Sequence, residues 1–304
     1  MRQTFSKWRL RMSDPVLVHI KKSGVHTSIQ DNGRLGVQDQ GIPIGGALDK
    51  SAMHLANELV GNAKDCPVLE MALAGPTLEF EGICQIAITG ANMSPTINGN
   101  LVDNFRTLNV KKGDVLSFGQ AIEGCRAYLS IGGEWKTPVW LNSQSAVPDI
   151  MKSSNLPSQL QEGDSISVIR KTPQEPKVTA VSKRPAFSST YVVRVVTGPE
   201  FGLFTLDIIE EFFEKMFTIG PESNRMGYRL KESLKGYEAK REELSSGIVN
   251  GTIQITNAGK PIILMADAQT TGGYPRIANV ISDDIDLVAQ MKPGDEIKFM
   301  LVSY

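Results

Sequence analysis

Short runs of alternating or wholly apolar residues, closed by glycine turns, dominate this chain and constrain it to a mainly β fold. Strand-like runs fall at residues 16–20, 25–30, 77–80, 85–89, 115–118, 127–131 and 166–169, and again at 191–196, 248–255, 262–266 and 296–302. Helical periodicity is scarce. Residues 50–60 place Met53, Ala56, Leu59 and Val60 on one face, with Asp49 as the cap before them and Gly61 as the stop. Residues 205–217 repeat Ile209, Phe212, Phe213 and Met216 at helical spacing. A third, short helix is expected where Ser282 caps ahead of Asp283 and Asp284, whose charges suit the positive end of a helix dipole. Asp31-Asn32-Gly33 predicts a tight hairpin turn, because Asn-Gly tolerates positive φ.

At 304 residues the chain suits two domains better than one small core. A first β unit is read over 14–170 and a second over 191–304. The stretch 171–190 is polar and carries Pro173, Pro176 and Pro185, so it reads as a linker or surface excursion. The 32 basic and 33 acidic residues leave a net charge of −1, which argues against a nucleic-acid or anionic-membrane surface. Cys66, Cys84 and Cys125 are odd in number and widely spaced, as expected of reduced thiols in the cytoplasm. His19, His26 and His54 are scattered too, so no metal site is expected. No apolar stretch approaches the roughly 20 residues of a membrane span. Residues 1–11 are basic without a signal-peptide core, and Met12 offers an alternative start, so they read as a loose extension.

Three segments carry candidate chemistry. The run Asp267-Ala268-Gln269-Thr270-Thr271-Gly272-Gly273-Tyr274-Pro275 crowds polar groups at the end of a buried strand, where scaffolds commonly meet a cleft. Asp267 is its candidate acid or base. Gly45 and Gly46, ahead of Asp49, either present backbone amides to an anion or make a tight turn with Asp49 as a plain cap. Ser223-Asn224-Arg225 offers a guanidinium fork and two hydrogen-bonding neighbours for a carboxylate; the alternative is a structural ion pair of Arg225. No G-x-x-x-x-G-K-[ST] phosphate loop and no G-x-S-x-G elbow is present.

Taken together, Q-D-N-G-R-L-G-V-Q-D-Q-G-I-P-I-G-G-A-L-D-K, L-E-M-A-L-A-G-P-T-L-E-F, S-N-R-M-G-Y-R-L and P-I-I-L-M-A-D-A-Q-T-T-G-G-Y-P-R-I-A resemble the biotin-dependent carboxyltransferase family. The same family is known by the second component of allophanate hydrolase, the C-type subunit of 5-oxoprolinase and the KipI antagonist. The resemblance spans about residues 24–299. It implies two cyclophilin-like β-barrel lobes with a few short helices. It also implies a role as the C-type subunit of an ATP-dependent 5-oxoprolinase, a hydrolase that is inactive without its A-type and its B-type, KipI-like partners. ATP would be bound with or by those partners. Two other roles fit the family: carboxyl transfer with biotin carried on another chain, and non-catalytic binding of a kinase inhibitor. The site implied comprises Arg225, Asp267 and Gln269 as catalytic residues. Ser223, Asn224, Thr270, Thr271, Gly272, Gly273, Tyr274, Gly45, Gly46 and Asp49 would bind substrate. Gln144 stands where relatives usually carry an arginine, which removes a permanent charge.

Overall fold

The computed structural model describes residues 15–147, 159–238 and 244–303. The extension read at residues 1–11 lies outside the described residues. The fold is mainly β, with three α-helices among the described residues. Strand β1 (Pro15–Lys22) buries Val16, Val18 and Ile20 in the alternation read from the sequence. It belongs to a seven-stranded sheet with β4 (Thr77–Phe80), β6 (Thr96–Ile97), β7 (Asn100–Leu101), β9 (Val115–Ser117), β11 (Gly133–Trp135) and β12 (Ser165–Arg170). Facing it is a five-stranded sheet of β2 (His26–Gln30), β3 (Val68–Ala72), β5 (Cys84–Asn92), β8 (Thr107–Val110) and β10 (Glu123–Ile131). Their order across the sheet is β2-β3-β10-β5-β8.

The five-stranded sheet sets up everything that follows, because successive side chains of a strand point to opposite faces. Ile29, Leu69, Met71, Ala127, Leu129 and Ile131 go to the core shared with β1. The other face receives His26, Ser28 and Gln30, then Val68, Glu70 and Ala72, then Arg126, Tyr128 and Ser130. Register aligns His26 with Ala72 and Arg126, and Ser28 with Glu70 and Tyr128. This second face is polar yet buried. Helix α1 (Lys50–Leu59) covers part of it, packing Ala52, Met53 and Ala56 against Val68 and Tyr128.

The rest of the chain builds a second seven-stranded sheet. Its strands are β13 (Thr190–Thr197), β14 (Phe217–Thr218), β15 (Gly227–Arg229), β17 (Thr252–Ile255), β18 (Pro261–Leu264), β20 (Arg276–Val280) and β21 (Glu296–Leu301). A separate ribbon joins β16 (Ser246–Gly247) to β19 (Thr271–Gly272). Most pairs of the large sheet are antiparallel, but β13 runs parallel to β21. Its core centres on aromatic rings. Phe212 of α2 (Leu206–Glu214) stacks on Phe299 with centroids 4.7 Å apart. Strands β15 and β18 pair antiparallel, and their ends lead into the site.

Several local expectations change. The turn at Asn32-Gly33 closes no hairpin: the Gly33 amide donates to the Asp31 side chain, and β2 pairs with β3 instead. Helix α2 stops at Glu214, where Lys215 turns extended, so Met216 lies outside it and is partly exposed. Ser282 is the first helical residue of α3 (Ser282–Ala289) rather than its cap, and Asp284 pairs with Arg194. The run 248–255 is a strand only over Thr252–Ile255. Residues 171–190 do not hang free. The Thr107 amide donates to the Lys177 carbonyl and the Thr179 amide to the Phe105 carbonyl, both at 2.9 Å, which shields the exposed edge at β8.

Candidate functional site

Glu70 is the centre of the buried polar face. Its Oε2 accepts from the Leu48 amide and the Tyr128 hydroxyl, each at 2.9 Å. Its Oε1 accepts from Arg225 Nη1 at 2.5 Å and lies 3.6 Å from Arg126 Nε. Burial alone would push this carboxyl up. Arg225 and Arg126 outweigh that and hold it below the usual range, so Glu70 is a carboxylate.

Arg225 reaches the face from the loop before β15. Asn224 shapes that loop by accepting the Met226 amide at 2.8 Å on its side chain, and Ser223 Oγ accepts the Arg229 amide at 3.1 Å. Arg225 then forks onto Asp267, Nε to Oδ2 at 2.8 Å and Nη2 to Oδ1 at 2.9 Å. Nη2 also donates to the Gly46 carbonyl at 2.7 Å. With its bond to Glu70, four of the five N–H groups an arginine carries are committed within the protein. The ion-pair reading of Arg225 is therefore the one the geometry takes.

Gln290, just past α3, clamps the second half of the chain onto β10. Its Oε1 accepts the Cys125 and Arg126 amides at 3.1 and 3.0 Å, and its Nε2 donates to the Arg126 carbonyl at 2.9 Å and to Asp49 Oδ2 at 2.7 Å. Asp49 caps α1 through the Ala52 amide at 2.8 Å. Asp286 of α3 accepts the next two amides, of Lys50 and Ser51. Burial, with the neighbouring Asp286 charge, pushes the Asp49 carboxyl up to about 7. A pKa raised in the folded state means that the native chain holds a proton which the unfolded chain releases near pH 4. Stability present at acid pH is thus lost as pH rises towards 7, then levels off. Urea titrations from pH 5 to 8 should show this fall, with a slope of at most about 1.4 kcal/mol per pH unit. Asp49→Asn should flatten it.

A cavity of about 330 Å³ opens beside this network, lined among others by His26, Gln30, Arg126, Asn224, Arg225 and Asp267. Burial, together with the positive charge of Arg225, lowers the His26 pKa, so its imidazole is neutral near pH 7. Among the described residues no cluster of His, Cys, Asp and Glu is arranged to hold a metal ion. No described helix is long and apolar enough to cross a membrane.

Residues 40–301 match the family described as carboxyltransferase domain, subdomains A and B. The chain belongs to this family. It is 34% identical over 287 residues to the C-type subunit of 5-oxoprolinase from Escherichia coli, covering 94% of this chain and 92% of that protein. Urea amidolyase of Saccharomyces cerevisiae is 31% identical over 314 residues, which cover 96% of this chain and 17% of the yeast protein. The crystal structure of the K. lactis urea amidolyase superposes with a TM-score of 0.86 at 30% identity, over 96% of this chain and 19% of that one. The chain thus spans less than a fifth of the length of either urea amidolyase.

Within this carboxyltransferase-domain chain the sequence-predicted site residues divide. Ser223, Asn224, Arg225 and Asp267 line the large cavity. Gly46 touches Arg225 from behind, and Asp49 is buried at the cap of α1. Gly45 and Gln269 line a second hollow of about 100 Å³ with Lys50 and Asn250. The Gly45 amide is not free for an anion, since it donates to the Ala266 carbonyl at 2.9 Å. Thr270, Thr271, Gly272, Gly273 and Tyr274 line neither hollow. Thr271 and Gly272 are instead taken up in the β16–β19 ribbon, and Tyr274 is exposed. Motif reading missed His26, Gln30, Glu70, Arg126, Tyr128 and Gln290. Of these, Arg126 and Tyr128 alternate with apolar residues in their run, whereas Glu70 is a lone polar residue in an apolar run and His26 and Gln30 stand in a largely polar one.

Proposed function

We propose that this chain is the C-type subunit of an ATP-dependent 5-oxoprolinase, converting 5-oxoproline to glutamate with A- and B-type subunits in the cytoplasm. The observation that carries the reading is end-to-end similarity to a protein named as that subunit, at 34% identity over nearly the full length of both chains. The buried polar cavity suits the reading, because it offers a place to hold a small amide away from water.

In this proposal Glu70 and Asp267 fix Arg225, and the resulting rigid wall positions the substrate rather than attacking it. Asn224 and Ser223 form its rim. Gln269, Thr270, Thr271 and Tyr274, with Gly272 and Gly273, are proposed as a second contact strip next to the smaller hollow. The two cavity arginines face two carboxylates, which leaves no unmatched cation for a triphosphate, and the chain has no phosphate loop. We therefore place ATP with the partner subunits. A second reading, carboxyl transfer with a biotin carrier on another chain, is supported by the superposition on urea amidolyase.

Co-expression with A- and B-type subunits separates the two. The expected result is ATP hydrolysis and glutamate formation that depend on 5-oxoproline and disappear when this chain is omitted. Turnover that depends on urea and a biotin carrier instead would move the assignment to the second reading.

A further inference from the structure

Seven described titratable side chains line the large cavity, and six of them are buried. Those six are also committed or inert. Glu70 and Asp267 accept from Arg225, Asp267 with both oxygens, and Arg126 donates to the Ala289 carbonyl and the Tyr228 hydroxyl. The Tyr228 hydroxyl itself donates to the Ala289 carbonyl at 3.2 Å, and burial pushes the Cys125 thiol up. A proton taken by either carboxylate would break a buried ion pair. The seventh group is His26 of β2, which is only partly buried. His19 meets Ser165 Oγ and His54 meets Asn32 Oδ1, whereas the His26 ring has no hydrogen-bond partner among the described residues. Strand register sets it opposite Ala72, whose side chain is only a methyl group.

Four charges act on this imidazole: Arg225 from the loop before β15, Arg126 from β10, Glu70 from β3 and Asp267 from the loop after β18. Burial and the two guanidiniums outweigh the two carboxylates and hold the ring below its ordinary pKa, so near pH 7 it stands in the cavity as a free base. Both readings of the chain need such a group. Amide hydrolysis draws a proton from the attacking water, and carboxyl transfer to urea draws one from a urea nitrogen.

We propose that His26 is the proton-transfer residue of this cavity. In amide hydrolysis its unprotonated ring nitrogen takes a proton from water as the water oxygen bonds to the carbonyl carbon, giving a tetrahedral oxyanion and an imidazolium. As the carbonyl reforms, the C–N bond breaks with its electron pair on nitrogen. That nitrogen receives the proton from the imidazolium, and neutral imidazole is restored. Glu70, Asp267 and the two arginines keep their charges throughout. The inference deepens the 5-oxoprolinase reading and rests on it for the identity of the amide, not for the need of a base.

Two substitutions and a pH profile on the assembled complex test this. His26→Gln should lower glutamate formation at least about 100-fold through kcat, with KM changed by less than about threefold. For the wild type, kcat/KM should fall along an acid limb lying below the ordinary imidazole range, and His26→Gln should lack that limb. Added imidazole should raise the activity of His26→Ala at least about tenfold. A smaller loss in His26→Gln, the same acid limb in that variant, or no rescue of His26→Ala overturns the proposal. On the chain alone, diethyl pyrocarbonate should acylate His26 at neutral pH; a His26 that resists the reagent overturns the proposal whatever the substrate. Turnover that survives in His26→Gln leaves the functional reading standing and removes this one. A wild-type complex that turns over neither 5-oxoproline nor urea removes the functional reading, and the pyrocarbonate result still decides whether the cavity presents a free base.

Discussion

Glu70→Ala is expected to cost about 3–5 kcal/mol of unfolding free energy, the loss typical of breaking a buried charge cluster by removing one member. Glu70 faces two guanidiniums, those of Arg225 and Arg126, and also receives the Leu48 amide and the Tyr128 hydroxyl. Without it, two buried cations share the single carboxylate of Asp267, and two donors lose their acceptor. The damage joins both halves of the chain, because Arg225 comes from the second sheet region and Glu70 from β3. Urea denaturation would read the loss directly. Glu70→Gln keeps the shape and part of the hydrogen bonding, so it should fall between wild type and Glu70→Ala. A cost below about 1 kcal/mol for Glu70→Ala would mean that the cluster is solvated in solution, as for exposed ion pairs.

Gly46→Ala should be nearly as damaging through the backbone alone. Gly46 sits at φ +83°, and an added Cβ would lie 2.7–2.8 Å from the Gly33 nitrogen, the Asn32 carbonyl carbon and the Asp31 oxygen. All three are main-chain atoms, so no side chain can swing aside. Left-handed strain contributes about 1–3 kcal/mol, and moving the backbone adds to it. The shift would also carry the Gly46 carbonyl away from Arg225. Gly113→Ala is the control: φ is +87° there too, but nothing lies within 4 Å of the added carbon. Its cost should be near the left-handed preference of about 1–2 kcal/mol. Thermal unfolding that shifts equally in the two variants would show that close approach at Gly46 is unimportant.

Gln144, the departure from the family pattern, lies away from this network. Its amide nitrogen donates to Asp31 Oδ2 and its side chain sits near the carbonyls of Trp135 and Thr137 at 3.4–3.5 Å. It lines a separate small hollow and not the large cavity, so the missing charge falls outside the site built around Glu70.

Much of the fold was legible because it depends on local periods. Alternation marked β1, the turn residues after Gln30 marked β2, helical spacing marked α1 and most of α2, and Asp49 was recognisable as a cap from its place before an amphipathic run. The segments around Arg225 and Asp267 were also visible as chemistry, since a fork, a carboxylate and paired glycines are unusual neighbours. What those groups do was not visible. Whether Arg225 meets a ligand or Asp267 depends on a contact between residues 42 positions apart, and its bond to Glu70 spans 155 positions. Local pattern alone dictates a β-rich chain in which His26, Ser28 and Gln30 recur along β2, Glu70 interrupts an apolar β3, and Arg126, Tyr128 and Ser130 alternate with apolar residues along β10. That those positions form one buried face is a matter of three-dimensional packing, because register across three strands and the cover supplied by α1 and the second sheet region are long-range choices. The same packing turns Arg225 into a structural wall.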